Sequence, residues 1–580
     1  EGGAAAEDDA SGKDSFGRSL YKNLMNGVSH MLPFVVGGGI MIALAFLLDD
    51  YSINPANFGM NTPVAAFFKT VGGAAFGYML PILAGFIAMS IADRPGLAVG
   101  FAGGVLAMNG TNFAGIAAGE TTGISGGFLA ALLAGFVAGY VVEFLKKITE
   151  KWGIKYDPDH MVPCDDEMLD RLWQAAIDLV AEVGVLCTDT RRIIEFSRKE
   201  ILDAAANTAD RYTVGVGKDS FTAVHRGFED YDHVKNPVSV LGRILGPVSQ
   251  DIYHQIAMSY AQVPQIDMCH FQGNLTEIYG MPITPDSPWE MFSELWSVAQ
   301  VKDVCRQVCR PGLADGGIRA IAMSAMQAAF DPGWGANKGD FRCCLPLPHQ
   351  KVEYKHLSRA LQWHTYGINF YSVMTSYPGG LSGGPATSAV TGTAEWIIQK
   401  LLFDVPLNGS WSVDAMYFSN TSKYSLWCSN HQNAAVTKNT VCEPLTGGGW
   451  QMTHGIGHEN FFWESAASAI SAVVLGNGVS GGTGAQSGLK DHQSGLGLQF
   501  SAEVGEAVAK ARLTRAHAND LVKRIMAKYQ PTIDSHTAHK MGGDFRECYN
   551  LVTVQPQKWY MDMYDKVKKE LTQMGLPMEY

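Results

Sequence analysis

Apolar residues fill the first quarter of this chain in long unbroken runs and recur at regular intervals in the rest. Uncharged runs cover Asn23–Leu48, Thr70–Ala92, Pro95–Gly119 and Thr121–Val142. About 20 helical residues cross about 30 Å of hydrocarbon, so each run is long enough to span a bilayer. Gly96, Gly100 and Gly104, and again Gly135 and Gly139, repeat at the four-residue spacing that lets helices approach closely. The pattern predicts an all-α membrane segment of about four helices, although the third run, with its glycines, Asn109 and Asn112, also suits a re-entrant loop. Lys13, Arg18 and Lys22 precede the first run and Lys146, Lys147 and Lys151 follow the last, placing both ends on the inner side.

After Asp165 the periodicity changes. Met168, Leu169, Leu172, Trp173, Ala176, Leu179, Val180 and Val183 fall on one helical face between an acidic cap and Gly184. Val185–Cys187 reads as a short strand, and Ser197 with Glu200 as a capping box before a helix over Ile201–Ala209. Further strands are expected at Ile266–Phe271, Ala320–Met323, Ile368–Met374 and Val441–Leu445, and helices at Pro288–Cys309, Ala386–Leu402 and Phe461–Leu475. Short strands alternating with longer helices over this length predict an α/β fold, a (β/α)8 TIM barrel with insertions. The GGTG at Gly481–Gly484 is read as lacking the flanking strand and helix of a nucleotide-binding loop.

Composition sharpens the division. The formal net charge of −12 argues against a nucleic-acid partner. Residues 1–22 are small and polar and read as a linker. All ten cysteines lie between Cys164 and Cys548 without paired metal-ligand spacing, as expected of buried free thiols with no tightly bound metal. His30, the one titratable residue inside the apolar runs, is expected to be packed and neutral. A charged helix over Glu143–Tyr156 begins directly after the fourth run, joining two unlike parts by gene fusion or as an assembly artefact.

Chemistry concentrates between Thr446 and Glu464. Gly447, Gly448 and Gly449 suggest a turn or a close backbone approach to a ligand, and Trp450, Gln451, His454, His458 and Glu459 carry polar groups to the start of a helix. Such groups at a strand-to-helix turn mark the rim of a barrel's active site.

Two resemblances add to this reading. Leu24–Asp50 and Gly127–Lys147 resemble the start of the fructose-specific phosphotransferase system permease, its IIC component, over about the first 150 residues. His160–Ile194, the CRPG at Cys309–Gly312, and Gly542–Leu576 resemble the monomethylamine:corrinoid methyltransferase family over residues 148–580. The second resemblance implies a TIM-barrel enzyme, usually oligomeric, that moves a methyl group from a methylated amine to the Co(I) corrinoid, a cobalamin, of a small partner protein. Methanogen members carry pyrrolysine, which this sequence lacks; alignment places that position at or near Ser358, with His349 kept upstream. The family's acidic loop reads here as Gly383, Gly384, Pro385, Ala386 and Thr387, Gly449 and Gln451 replace a glutamine and a tyrosine, and Glu459 and Glu464 are retained.

Without a capture residue, a substrate with a fixed positive charge is easiest to use, so a quaternary or tertiary methylamine is expected. Aromatic faces from Trp363, Trp411, Trp427, Trp450, Phe462 and Trp463 would hold it. Gln451 and Glu459 would orient it, with His454 or His458 as proton shuttle, Ser358 at the reacting position, and Gly447–Gly449, Trp450, His349 and Trp363 around the substrate. The expected layout is a linker over 1–22, membrane helices over 23–147 and a cytoplasmic barrel over 148–580, entirely cytoplasmic if the first part is an artefact. The alternative is a permease fragment with an incidental barrel.

Overall fold

Small side chains set how closely the apolar helices of the first part approach one another. The computed structural model describes residues 16–109, 127–232, 238–271, 275–317, 322–405, 407–441 and 451–578. The chain divides into two units, residues 1–147 and 148–580. Three helices of the described residues are long and apolar enough to cross a membrane: α1 (Phe16–Leu47), α2 (Pro63–Asn109) and α3 (Gly127–Trp152). The second and third apolar runs thus belong to one element, but its backbone leaves helical geometry at Ala92 and at Asp93, where φ is 59°. Beyond that break the chain folds back. A Cβ on Gly96 would lie 2.3 Å from the Ala88 carbonyl oxygen, one on Gly100 2.5 Å from that of Ala84, and one on Gly104 2.5 Å from the Pro81 Cα. Gly135 and Gly139 of α3 meet the same Ala84–Ala88 face, so the glycine spacing marks where backbones touch. His30 stacks on Phe86 at 3.8 Å and its Nδ1 lies 2.9 Å from the Asn26 carbonyl, but it is exposed rather than enclosed, because one face of its ring is left uncovered by the other helices of this unit.

The second unit opens as its periodicity indicates. Asp165 caps the helix Asp166–Val183, Gly184 ends it, and Ser197 and Glu200 form the capping box of Arg198–Ala206. Seven strands follow in two wholly parallel sheets among the described residues: β1 (Val240–Arg243), β2 (Met268–His270), β3 (Ala314–Gly316), β4 (Phe341–Cys344), β5 (Asn369–Ser376), β6 (Leu407–Ser412) and β7 (Val479–Gly481). They pair in the orders β7-β1-β2-β3 and β4-β5-β6. Of the strand expected at Ala320–Met323, residues 320–321 lie outside the described residues and Met323 opens a helix; the described strand of this region is β3. Ala-Asp-Gly has no apolar run to signal a strand. Residues 442–445, expected as a strand, lie outside the described residues. The GGTG does follow a strand, β7, contrary to its reading above.

Alternation along the strands separates two environments. Leu241, Met268, Ala314, Phe341, Cys343, Tyr371 and Val373 pack into one buried cluster with Trp411 against it, while Ser372, Ser410 and Ser412 face the helices behind. Register places Arg243, His270 and Gly316 side by side, one pleat above Leu241, Met268 and Ala314. The nine described cysteines are free thiols.

The glycine packing of the first unit is directly testable. Gly100→Val forces a branched side chain into the Ala84 backbone, with an expected cost of roughly 1–3 kcal/mol. Gly73→Val, at a position with nothing within 4 Å, is expected to be silent. Circular dichroism melting of the full chain in detergent reads both, and equal effects would contradict this packing.

Candidate functional site

The C-terminal ends of the strands gather polar side chains from both sheets. On the pleat above the apolar cluster, the Arg243 guanidinium lies 5.5 Å from the Tyr371 ring centre, and the Tyr371 hydroxyl is 2.7 Å from His270 Nδ1. All three are buried. Gly317 has no space for a side chain, because a Cβ there would fall 1.6 Å from His270 Cδ2.

Higher on the same end, carboxamides form an arc. Directly after β7, Ala485, Gln486 and Ser487 have φ of 49°, 48° and 53°, three consecutive non-glycine residues in the left-handed region. Such positions cost about 1–3 kcal/mol each and persist where surroundings enforce them. The turn swings Gln486 toward the end of β6: its Nε2 donates to Asn420 Oδ1 and lies 3.4 Å from Gln451 Oε1, while Asn420 Nδ2 donates to the Ser412 carbonyl at 3.2 Å. Gln493 pairs through its backbone with Thr483. Both its side-chain polar atoms, and Gln486 Oε1, are buried with no partner among the described residues. An unmet buried polar atom costs about 1–3 kcal/mol.

Behind this arc Glu464 organises the rim. It accepts from Thr453 N at 2.6 Å, His454 N at 3.0 Å and the Thr421 hydroxyl, and His454 Nδ1 donates to it at 2.5 Å. Asn460 Nδ2 lies 3.1 Å from His454 Nε2, filling the remaining ring nitrogen as acceptor. A second buried acid, Glu395 on the helix Pro385–Phe403, accepts from His349 N at 2.9 Å. Complete burial pushes its carboxyl up to about 8. Burial, with Lys351 nearby, pushes the His349 imidazole down to about 4, and its ring packs on Tyr377 at 5.5 Å.

The structure distributes the expected site residues unevenly. Gln451 sits in the carboxamide arc, bridged to Thr483. His454 lies close behind it but is fully enclosed and committed at both nitrogens, which removes it as a shuttle open to substrate. His458 stacks on His454 at 4.9 Å and accepts from Asn460 N to cap the helix Glu459–Val474; burial and then His454 lower its pKa. Glu459 points elsewhere: burial raises its carboxyl, but bonds from Lys566 and Trp463 outweigh this and hold it low, in a half-exposed ion pair. Ser358 is exposed on the outer face of the helix Tyr354–Tyr366, so it cannot occupy the reacting position. Trp363 is core, buried 5.2 Å from Phe370, and Trp427 and Trp463 are likewise fully buried, because large flat rings fill the space between helices and strands. Gly447, Gly448, Gly449 and Trp450 lie outside the described residues. Arg243, His270, Tyr371, Asn420, Gln486 and Gln493 were not singled out from the sequence. Their one available signal is a polar residue at the end of a short apolar stretch, as in VLGR and MCH.

Residues 139–576 match the family described as monomethylamine methyltransferase MtmB, and residues 25–151 match the phosphotransferase system EIIC family. Monomethylamine methyltransferase MtmB2 of Methanosarcina acetivorans is 26% identical over 435 residues, 74% of this chain and 92% of its own. MtmB3 of Methanosarcina barkeri is 24% identical with the same coverage. The crystal structure of Methanosarcina barkeri MtmB shares the fold with a TM-score of 0.70 at 23% identity, over 75% of this chain and 93% of that one.

Glu395 generates a pH prediction. An unfolded glutamate loses its proton near 4.5 whereas the buried one keeps it to about 8, so stability falls as pH climbs through that window. A glutamine amide at this position would still accept from His349 N without titrating. Glu395→Gln is therefore expected to gain roughly 2–4 kcal/mol on the wild type between pH 5 and pH 8, read from unfolding midpoints. A constant difference at both pH values would show that Glu395 titrates normally.

Proposed function

Because the chain belongs to the monomethylamine methyltransferase MtmB family, we propose that its second unit removes a methyl group from a methylated amine and delivers it to the Co(I) corrinoid of a small partner protein. The observation that carries this reading is the family match over residues 139–576, three quarters of the chain. The two parallel sheets are read as arcs of one (β/α)8 ring, which the likeness to the crystal structure supports.

In such a transfer the new carbon–cobalt bond forms as the carbon–nitrogen bond breaks, and the bonding pair leaves with nitrogen. Nitrogen must be protonated or quaternary beforehand so that it departs neutral. The protein's task is alignment: the amine must be held with its methyl facing the open mouth, and geometric fixing of two reactants supplies much of the rate. Gln451, Gln486 and Asn420 are the groups proposed to hold it. A fixed quaternary cation would want aromatic faces, yet Trp363, Trp427 and Trp463 are spent in the core. Carboxamide oxygens instead suit a nitrogen that still carries N–H.

For the first unit we propose insertion in a bilayer. Leu32, Val36 and Ile40 on α1, and Leu129, Leu133 and Val137 on α3, repeat every fourth residue and are exposed, as lipid-facing stripes would be. The EIIC match favours a sugar-permease fragment as the second reading of this unit.

Three measurements test these readings. Purified full chain in detergent, given a corrinoid reduced to Co(I) and primary, secondary, tertiary and quaternary methylamines, is expected to form methylcobalamin, seen by its absorbance. Gln486→Ala should lower kcat/KM on the order of 10- to 100-fold. Failure with every compound would remove the methyltransferase reading. In membranes, the chain should resist carbonate extraction, and labelled fructose uptake by vesicles would move the weight to the permease reading.

A further inference from the structure

At the N-terminal ends of β1 and β2, the opposite end of the strands from the carboxamide arc, the second unit holds a cavity of about 350 Å³. Gln265 and Asp267 line it from the segment that enters β2, and Glu506 and Lys510 from the helix Gly495–Ala511. Val238 and Val240, at the start of β1, give it an apolar wall.

Asp267 is clamped to β1 by a reciprocal pair of bonds. Its N donates to the Val240 carbonyl and Val240 N donates to its Oδ2, both at 2.9 Å, which leaves Oδ1 without a hydrogen bond among the described residues. Burial pushes this carboxyl up to about 7, against the opposing pull of the Val240 N–H and of Arg310. The Arg310 guanidinium is spent on other groups: Nη1 donates to the Ile266 carbonyl at 2.6 Å and Nε lies 3.5 Å from Asp219 Oδ1. Glu506 is half-buried, with no hydrogen bond or ion pair among the described residues. Lys510 is exposed and has a partner of its own. Gln265 keeps a buried side-chain oxygen that no described residue meets.

The open groups of the cavity are therefore acceptors, two of them acids, beside aliphatic side chains. Unmet acceptors cost stability until a donor reaches them. A metal ion is poorly served here, because calcium takes about six to eight oxygens and nowhere among the described residues do three histidine, cysteine or acidic groups converge. We infer that this cavity binds a primary alkylammonium ion, its N–H groups on Asp267 Oδ1 and Glu506 and its hydrocarbon chain against Val238 and Val240. The inference is independent of the methyl-transfer reading, since the ligand needs no N-methyl group and the cavity shares no residue with the arc. A bound cation favours the ionised form of Asp267, so binding below its pKa releases a proton.

Calorimetric titration of the full chain in detergent with n-butylammonium tests the site, with tetramethylammonium, n-butanol and calcium as comparisons. n-Butylammonium should bind one to one and at least about 10-fold tighter than tetramethylammonium, which has the charge without N–H groups, or butanol, which has no charge. Glu506→Gln and Asp267→Asn should each weaken it at least about 10-fold, because each replaces a charge-assisted bond. The asparagine still accepts from Val240 N, Glu506 has no described partner to lose, and thermal midpoints confirm that the variants fold. Gln486→Ala, at the other end of the strands, should leave the affinity unchanged. Titration at about pH 6 in two buffers of different ionisation enthalpy should show proton release that vanishes at about pH 8.5 and in Asp267→Asn. No saturable binding of n-butylammonium, equal binding of tetramethylammonium or butanol, or tighter binding of calcium overturns the inference. So does an affinity that falls in Gln486→Ala and not in Glu506→Gln.

Discussion

Four hydrogen bonds converge on the buried carboxylate of Glu464, and the polar end of the second unit depends on them. One side chain ties residues 453–454, leading away from the arc, to Thr421 beyond β6 and to the helix that carries it. A buried carboxylate is tolerable only when its oxygens are fully engaged, and bonds to such a group are about twice as strong as neutral ones. Removing Glu464 would free the segment that presents Gln451, loosen Asn420 through its neighbours Ser419 and Thr421, and so slacken the whole carboxamide arc. The same bonds explain why His454 is not a free acid or base. Its two nitrogens are spent on Glu464 and Asn460, which makes it a structural strut in a position that looked chemical.

That reversal shows where sequence reasoning is strong and where it runs out. Helices were legible because their signals are long and redundant: eight apolar positions between Asp165 and Gly184, a complete capping box at Ser197 and Glu200, glycines at four-residue spacing through the first unit. The alternation of strands with helices was legible for the same reason. Several strands were not. β1 and β3 have four and three residues, and β3 is Ala-Asp-Gly, so a period of two has no length over which to show itself, whereas β2 falls within the strand expected at Ile266–Phe271. The polar end of β1 then reads as a break, although the register sets Arg243 beside His270.

The site suffered from a related difficulty. Stretches rich in histidine, acid and tryptophan attract attention, yet Glu459 serves an ion pair with Lys566, Trp363 fills a gap beside Phe370, and Ser358 faces solvent. Glutamines and asparagines scattered over 420, 451, 486 and 493 have no local pattern. Only the fold brings them together, and only backbone angles reveal that 485–487 turn the left-handed way.

A mouth lined by neutral amides rather than carboxylates has a chemical consequence on the proposed reading. The nitrogen of a methylated ammonium loses its positive charge as the methyl leaves, so a carboxylate aimed at it would stabilise the starting state more than the transition state and slow the step. Carboxamide oxygens hold the same N–H groups through dipoles, which fix direction at a smaller cost in ground-state stability. Three glutamates of this unit are kept out of that role by their surroundings: Glu464 is saturated with donors, Glu459 is neutralised by Lys566, and Glu395, buried and protonated near neutral pH, anchors a backbone N–H. Charge is sequestered behind the rim, and orientation is left to groups that do not oppose the departure of nitrogen.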